Sequence, residues 1–187
     1  MSSVAQENFA IWERGLPISL EAYHFLFKEG LISEKTELLE GVVIEKMSKD
    51  PIHSNFVTKL SYFLFGKLNN NFQIRQENPI TTETSEPEPD IAIVENLDYS
   101  IKHPKGAYIV IEVANTSLAL DRAKSPIYAK ANIPEYIIIN LQSNVIELYT
   151  KPINGQYSLT KILQRDETFV SISIPDLSFS IKDIIAF

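Results

Sequence analysis

The chain has 187 residues, 44% of them hydrophobic and 22% charged, a length that favours one domain and a composition that excludes a disordered chain. It contains no cysteine, which excludes disulfides, thiolate catalysis and zinc–thiolate sites. A net charge of −7 argues against a surface that grips nucleic acid over its whole extent, but allows a local basic rim around an acidic, metal-binding pocket.

The opening stretch MSSVAQENFAIWERG lacks the basic region and apolar run of a signal peptide. No apolar run approaches the ~18 residues needed to span a bilayer. A cytoplasmic protein is therefore the expectation. In SLEAYHFLFKEG, Leu20, Tyr23 and Phe27 recur at helical spacing, with Ser19 as N-cap and Gly30 as stop. TELLEGVVIEKMS (Thr36 to Ser48) is predicted to form two short strands turning near Glu40–Gly41. In PIHSNFVTKLSYFLFGKLNN, Phe56, Leu60, Phe63, Leu64 and Leu68 form an apolar helical stripe ending in an Asn-rich cap. FQIRQENPITTE reads as a strand and an extended edge. Pro87 and Pro89 then hold an extended approach to a strand over Asp90–Val94.

After a loop ending at Gly106, the strand Tyr108–Val113 alternates little, which predicts burial on both faces. SLALDRAKSPIYAKAN reads as a helix with Leu118, Ala123, Ile127, Tyr128 and Ala131 inward, and Pro126 marks a break or kink. EYIIINL is a strand of β-branched residues. NVIELYTK, YSLTKILQ and TFVSISIP read as further hairpin strands, with a turn at Asn154–Gly155, and SIKDIIAF closes the chain. The order predicts an α/β (α+β) fold: one mixed central sheet flanked by helices, with a β-rich C-terminal part, in a single domain over residues 1–187.

Two acids stand out. Asp90 sits at the mouth of an apolar strand, and Glu112 interrupts YIVIEVAN; ionised carboxylates are rare in such strands unless something compensates them. If the two strands pair, both carboxylates can enter one pocket, where they repel unless a proton or a cation lies between them. His24, His53 and His103 lie far apart, so the site would be oxygen-only, which favours Mg²⁺ or Mn²⁺; Mg²⁺ needs only one or two carboxylates plus waters. Lys124 falls on the helix after the Glu112 strand, where its ammonium can position a water or stabilise charge on a phosphate. Glu40, at the strand turn, is a further candidate acid. Plainer readings stand beside these: Asp90 as a strand cap, Glu112–Lys124 as a structural ion pair, Lys124 as a solvated lysine, His53 as a helix-start residue and Asp121 as a helix cap.

The run PDIAIV … YIVIEVANTSLALDRAKSPIYAKANIPEYIIIN resembles the bacterial restriction-endonuclease family called Uma, a branch of the PD-(D/E)XK nuclease superfamily. TELLEGVVIEKMS is similar to that family's YELIDGEL strand pair, and PIHSNFVTKL to its P-x-H helix start, so the resemblance extends from Ser19 to Leu148. Asp90 falls on the PD aspartate, Glu112 on the acid of the EV-x-x-x-S strand with Ser117 in the serine place, and Lys124 on the lysine before the pair Tyr128–Ala129. NIPEY matches G-[IV]-P-E-Y-W, with Asn132 for Gly and Ile137 for Trp. Ala114 stands where the superfamily's E-x-K lysine would be, so Lys124 must reach in from the helix, as is usual in this family, and the Asp121–Lys124 interval is shorter than usual.

The resemblance implies a metal-dependent endonuclease that hydrolyses the phosphodiester bonds of nucleic acid with Mg²⁺ or Mn²⁺, with DNA the expected substrate although no residue separates it from RNA. Asp90, Glu112 and the carbonyl of Val113 would hold the metal, Lys124 would orient or deprotonate the attacking water, and Glu40 would support the site. It also implies a homodimer, for which the apolar β-rich tail offers an interface. The alternative from another class is an idle nuclease fold kept as a binding or structural module, which the negative charge and the altered Asp121–Lys124 spacing favour and the intact Asp90, Glu112 and Lys124 oppose.

Overall fold

The computed structural model describes residues 15–186. Apart from its last residue, the stretch read for a signal peptide lies outside them. Helix α1 (Leu20–Lys28) starts where Ser19 Oγ accepts the Ala22 N–H, and it leads to a hairpin of β1 (Thr36–Leu39) and β2 (Val42–Glu45). Helix α2 (Pro51–Phe65) follows, with Asp50 as N-cap and Pro51 at its first turn. The capping carboxylate and the pre-set proline φ favour a helix start here.

Among the described residues, six strands form the central sheet, in the order β3 (Phe72–Gln76), β4 (Ile91–Glu95), β5 (Ile109–Ala114), β6 (Glu135–Asn140), β7 (Val145–Ile153) and β8 (Gln156–Gln164). Only β5 and β6 run parallel. A parallel pair needs a crossover, and helix α3 (Leu118–Lys130) supplies it. β5 and β6 are buried along their whole length, as their apolar, β-branched runs predict.

One face of the sheet carries Ile91, Ile93, Ile109, Ile111 and Val113 against Phe56, Leu60 and Leu64 of α2 and Ile181 and Ile184 of the final helix. The other carries Ala92, Val94, Val110 and Ala114 against Tyr128 and Tyr136. Alternation along a strand therefore puts Asp90 and Glu112, with their even numbers, on the α3 side.

Three expectations are corrected. Helix α3 runs unbroken through Pro126, and it buries Asp121 and Lys124 while Ala123 is exposed. Its inward stripe is thus partly polar, which an apolar-period reading misses. TFVSISIP contributes only β9 (Phe169–Val170), paired with β10 (Ser178–Phe179). Just beyond β9 the buried Glu135 carboxylate accepts the N–H groups of Ile172 and Ser173, which takes those donors out of any ladder. The closing segment forms helix α4 (Ile181–Ala186).

Candidate active site

The antiparallel register sets Ile91 opposite Ile111, so Asp90, one residue before β4, lies opposite Glu112. The two are directly connected: the Asp90 N–H donates to Glu112 Oε2 at 3.2 Å, and the Val113 N–H donates to Asp90 Oδ2 at 2.8 Å. Asp90 Oδ2 also meets His53 Nε2 at 3.0 Å, while Oδ1 faces the Lys49 ammonium at 3.6 Å. His53 is brought there by α2, whose N-cap Asp50 accepts the His53 N–H and the Asn115 side-chain amide. The start of α2 is thereby fastened to the end of β5.

Helix α3 brings Lys124 over the same carboxylates. Its ammonium lies 3.2 Å from Glu112 Oε1 and 3.1 Å from Glu37 Oε1. Glu112 Oε1 also accepts the Tyr128 hydroxyl, and Asp121 accepts the Ser117 hydroxyl at 2.6 Å. Glu37, Asp90, Glu112, Asp121 and Lys124 are all buried. They line a cavity of about 80 Å³, room for several waters or a partly hydrated cation. Lys46 and Lys49 also line it, each paired with an acid, Lys46 with Glu88 at 2.7 Å and Lys49 with Glu77 at 2.9 Å.

Burial pushes the Glu112 carboxyl up to about 8; Lys124 opposes this, and Asp90, Asp121 and Glu37 add to it. Asp121 is likewise raised, by burial first, against the Ser117 hydrogen bond and Lys124. For Asp90, burial is outweighed by the His53 hydrogen bond and charge and by the Val113 N–H, so its pKa is lowered. Burial works against the Lys124 ammonium, but Glu112, Glu37 and Asp121 together outweigh it and hold its pKa above the usual lysine range.

Asp90, Glu112, Val113 and Lys124 thus meet in one place. Glu40 does not join them. It occupies the β1–β2 turn with φ of 49° and pairs with Lys130 at 2.7 Å, away from the cavity. Glu37 takes the position expected of it, because residues three apart on an extended chain point to opposite sides. The signal for Glu37 was an acid inside the short apolar strand TELL, the same anomaly that singled out Glu112. His53 and Asp121, for which the sequence offered only helix-start roles, also line the cavity.

A mixed sheet with a β5–α3–β6 crossover and a carboxylate–lysine cluster at the end of its central strands is the frame of a restriction-endonuclease-like protein. A family model described as "putative restriction endonuclease", Uma2, matches residues 29–182. The chain belongs to that family. Among solved structures, the crystal structure of a "putative nuclease" from Anabaena variabilis is similar, with a TM-score of 0.73 and 17% identity over 91% of this chain and 98% of that one. At that identity the likeness shows the fold. No curated protein matches the chain. Among the described residues no helix is long and apolar enough to cross a membrane.

Proposed function

We propose that the protein is a divalent-metal-dependent endonuclease that hydrolyses phosphodiester bonds, with DNA as substrate. One observation carries the reading: four buried carboxylates face a single buried lysine in one cavity, an imbalance that a cation compensates. The donor set fits a hard cation. Asp90 and Glu112 offer oxygens, and the Val113 amide faces Asp90, which turns its carbonyl toward the same edge. Among the described residues no group of three or more His, Asp or Glu forms a ready-made metal cage, and Mg²⁺, which keeps several waters, needs only one or two carboxylates. When bound, Mg²⁺ or Mn²⁺ would polarise the scissile phosphate and stabilise the leaving oxygen.

The chain's own residues divide the remaining work. Asp90 and Glu112 hold the metal. Lys124, kept protonated by Glu112, Glu37 and Asp121, has no free lone pair, so it orients the attacking water and steadies charge on the phosphate instead of accepting a proton. Glu37 holds the ammonium against Glu112. Lys46 and Lys49 would exchange their partners Glu88 and Glu77 for the phosphate backbone, despite the net charge of −7. Exposed Ile153, Leu159, Ile162, Val170 and Ile172 support a homodimer through the β-rich tail, which sedimentation velocity would test.

Incubation with supercoiled plasmid, single-stranded DNA and RNA in Mg²⁺ or Mn²⁺ tests the activity, with Asp90→Asn as control. Cleavage of DNA that needs the metal and Asp90 is the expected result. A protein that gains thermal stability from the metal yet cleaves none of the three would instead be an idle nuclease fold.

A further inference from the structure

We propose that His53 is a positioning residue that holds the Asp90 carboxylate in its metal-receiving orientation, an inference that rests on the metal site proposed above. A carboxylate on a loop before a strand has a broad χ2 torsion, and since Oδ1 already faces the Lys49 ammonium at 3.6 Å, a rotation here would swing Oδ2 out of its place at the site. Two donors prevent it. The Val113 N–H and the His53 ring meet the same oxygen, Oδ2, at 2.8 and 3.0 Å. Oδ1 is left with the Lys49 ammonium alone, at 3.6 Å, among the contacts found for it. An ionised carboxylate oxygen only accepts, so Nε2 carries the proton of this bond.

The ring itself is held rigidly. His53 is buried, lies in the first turn of α2, and has its own N–H fixed by Asp50, whose other oxygen takes the Asn115 amide. Side chains in a helix lean toward its N-terminus, which carries the imidazole under Asp90. Its other nitrogen, Nδ1, is buried and has no hydrogen-bond partner. The one polar task of the ring is at Nε2. Partners of this kind orient the ligands of metal sites, and their removal typically weakens the metal about 10- to 100-fold.

Two amides of different reach separate this role from a merely structural one. Glutamine places its side-chain nitrogen near the position of Nε2, whereas asparagine stops near that of Nδ1. Mn²⁺ binding to the full chain is measured by calorimetry and by the paramagnetic resonance of free Mn²⁺, with circular dichroism on each variant. We expect His53→Gln to bind Mn²⁺ nearly as the wild type does, and His53→Asn to bind about 10- to 100-fold more weakly. The inference is overturned if His53→Asn keeps the wild-type affinity, or if His53→Gln loses as much as His53→Asn. A folded wild type that binds no Mn²⁺ overturns the metal site itself, and this inference with it.

Discussion

Lys124 is both a member of the site and part of what holds the fold. Among the described residues it is the one buried lysine or arginine, and its ammonium serves Glu37 and Glu112 together. Removing one partner of a buried ion pair costs about 3–5 kcal/mol, since the remaining charge is left unpaired. Lys124→Met is therefore expected to lower the metal-free stability by roughly that amount and to abolish cleavage. Millimolar Mg²⁺ should recover part of the stability by supplying the missing positive charge. Urea unfolding with and without Mg²⁺ measures both effects, and a variant as stable as the wild type would contradict the burial argument.

A second pair gives a pH prediction outside the cavity. Arg122 donates to both oxygens of Glu147, at 2.9 and 2.5 Å, and this bidentate contact, against some burial, lowers the Glu147 pKa. A lowered folded-state value means that the stabilisation is complete above the unfolded carboxylate pKa and vanishes as the pH falls through the folded one. Arg122 is half-exposed, so solvent screening keeps the effect modest: Glu147→Gln should cost about 1 kcal/mol at neutral pH. The gap between the two proteins should close as melts are taken below about pH 4.

At the scale of the elements, two hairpin turns differ in how much room they leave. Both β1–β2 and β7–β8 turn through two residues of positive φ, Glu40–Gly41 and Asn154–Gly155, as two-residue hairpins require. A Cβ on Gly41 would lie 2.3 Å from Pro17 Cβ and 2.9 Å from Pro17 Cα, whereas one on Gly155 would meet the flexible Lys130 Cγ at 2.9 Å. Gly155→Ala should cost about 1–2 kcal/mol for the backbone alone. Gly41→Ala should cost clearly more, because backbone cannot step aside as a lysine stem can. It should also lower Mn²⁺ affinity or activity by disturbing β1 and hence Glu37. Equal losses in equilibrium unfolding would show that the Pro17 contact does not constrain the turn.

Across the whole molecule, the two apolar layers share one set of strands. Ile91, Ile93, Ile109 and Ile111 look toward α2, and Ala92, Val94 and Val110 look toward α3. Neither layer can lose its packing without exposing the back of the other. We therefore propose that the chain unfolds as one domain, with a single calorimetric transition whose enthalpy equals the van't Hoff value. Two separated transitions would contradict it. The C-terminal segment is tied into the same unit by Glu135, fully buried at the start of β6, which accepts bonds from Ser171, Ile172 and Ser173.

The sequence by itself determined the central elements and two of the acids. Short β-branched runs bounded by turn residues favour buried strands, and a carboxylate inside such a run is conspicuous whatever the rest of the fold. Asp90 and Glu112 were legible for that reason, while the helix start at Pro51 and the Asn154–Gly155 turn were legible from local motifs. Tertiary structure alone decided which acids meet. Glu37 and Glu40 are nearly equivalent in sequence, but strand alternation and the tight turn send one to Lys124 and the other to Lys130. His53 reaches Asp90 across 37 positions of chain, and no local pattern encodes that distance. Asp121 was legible only as a helix cap for the same physical reason: it is buried beside the carboxylates across the cavity, and a helix seen alone has no way to report what it will face.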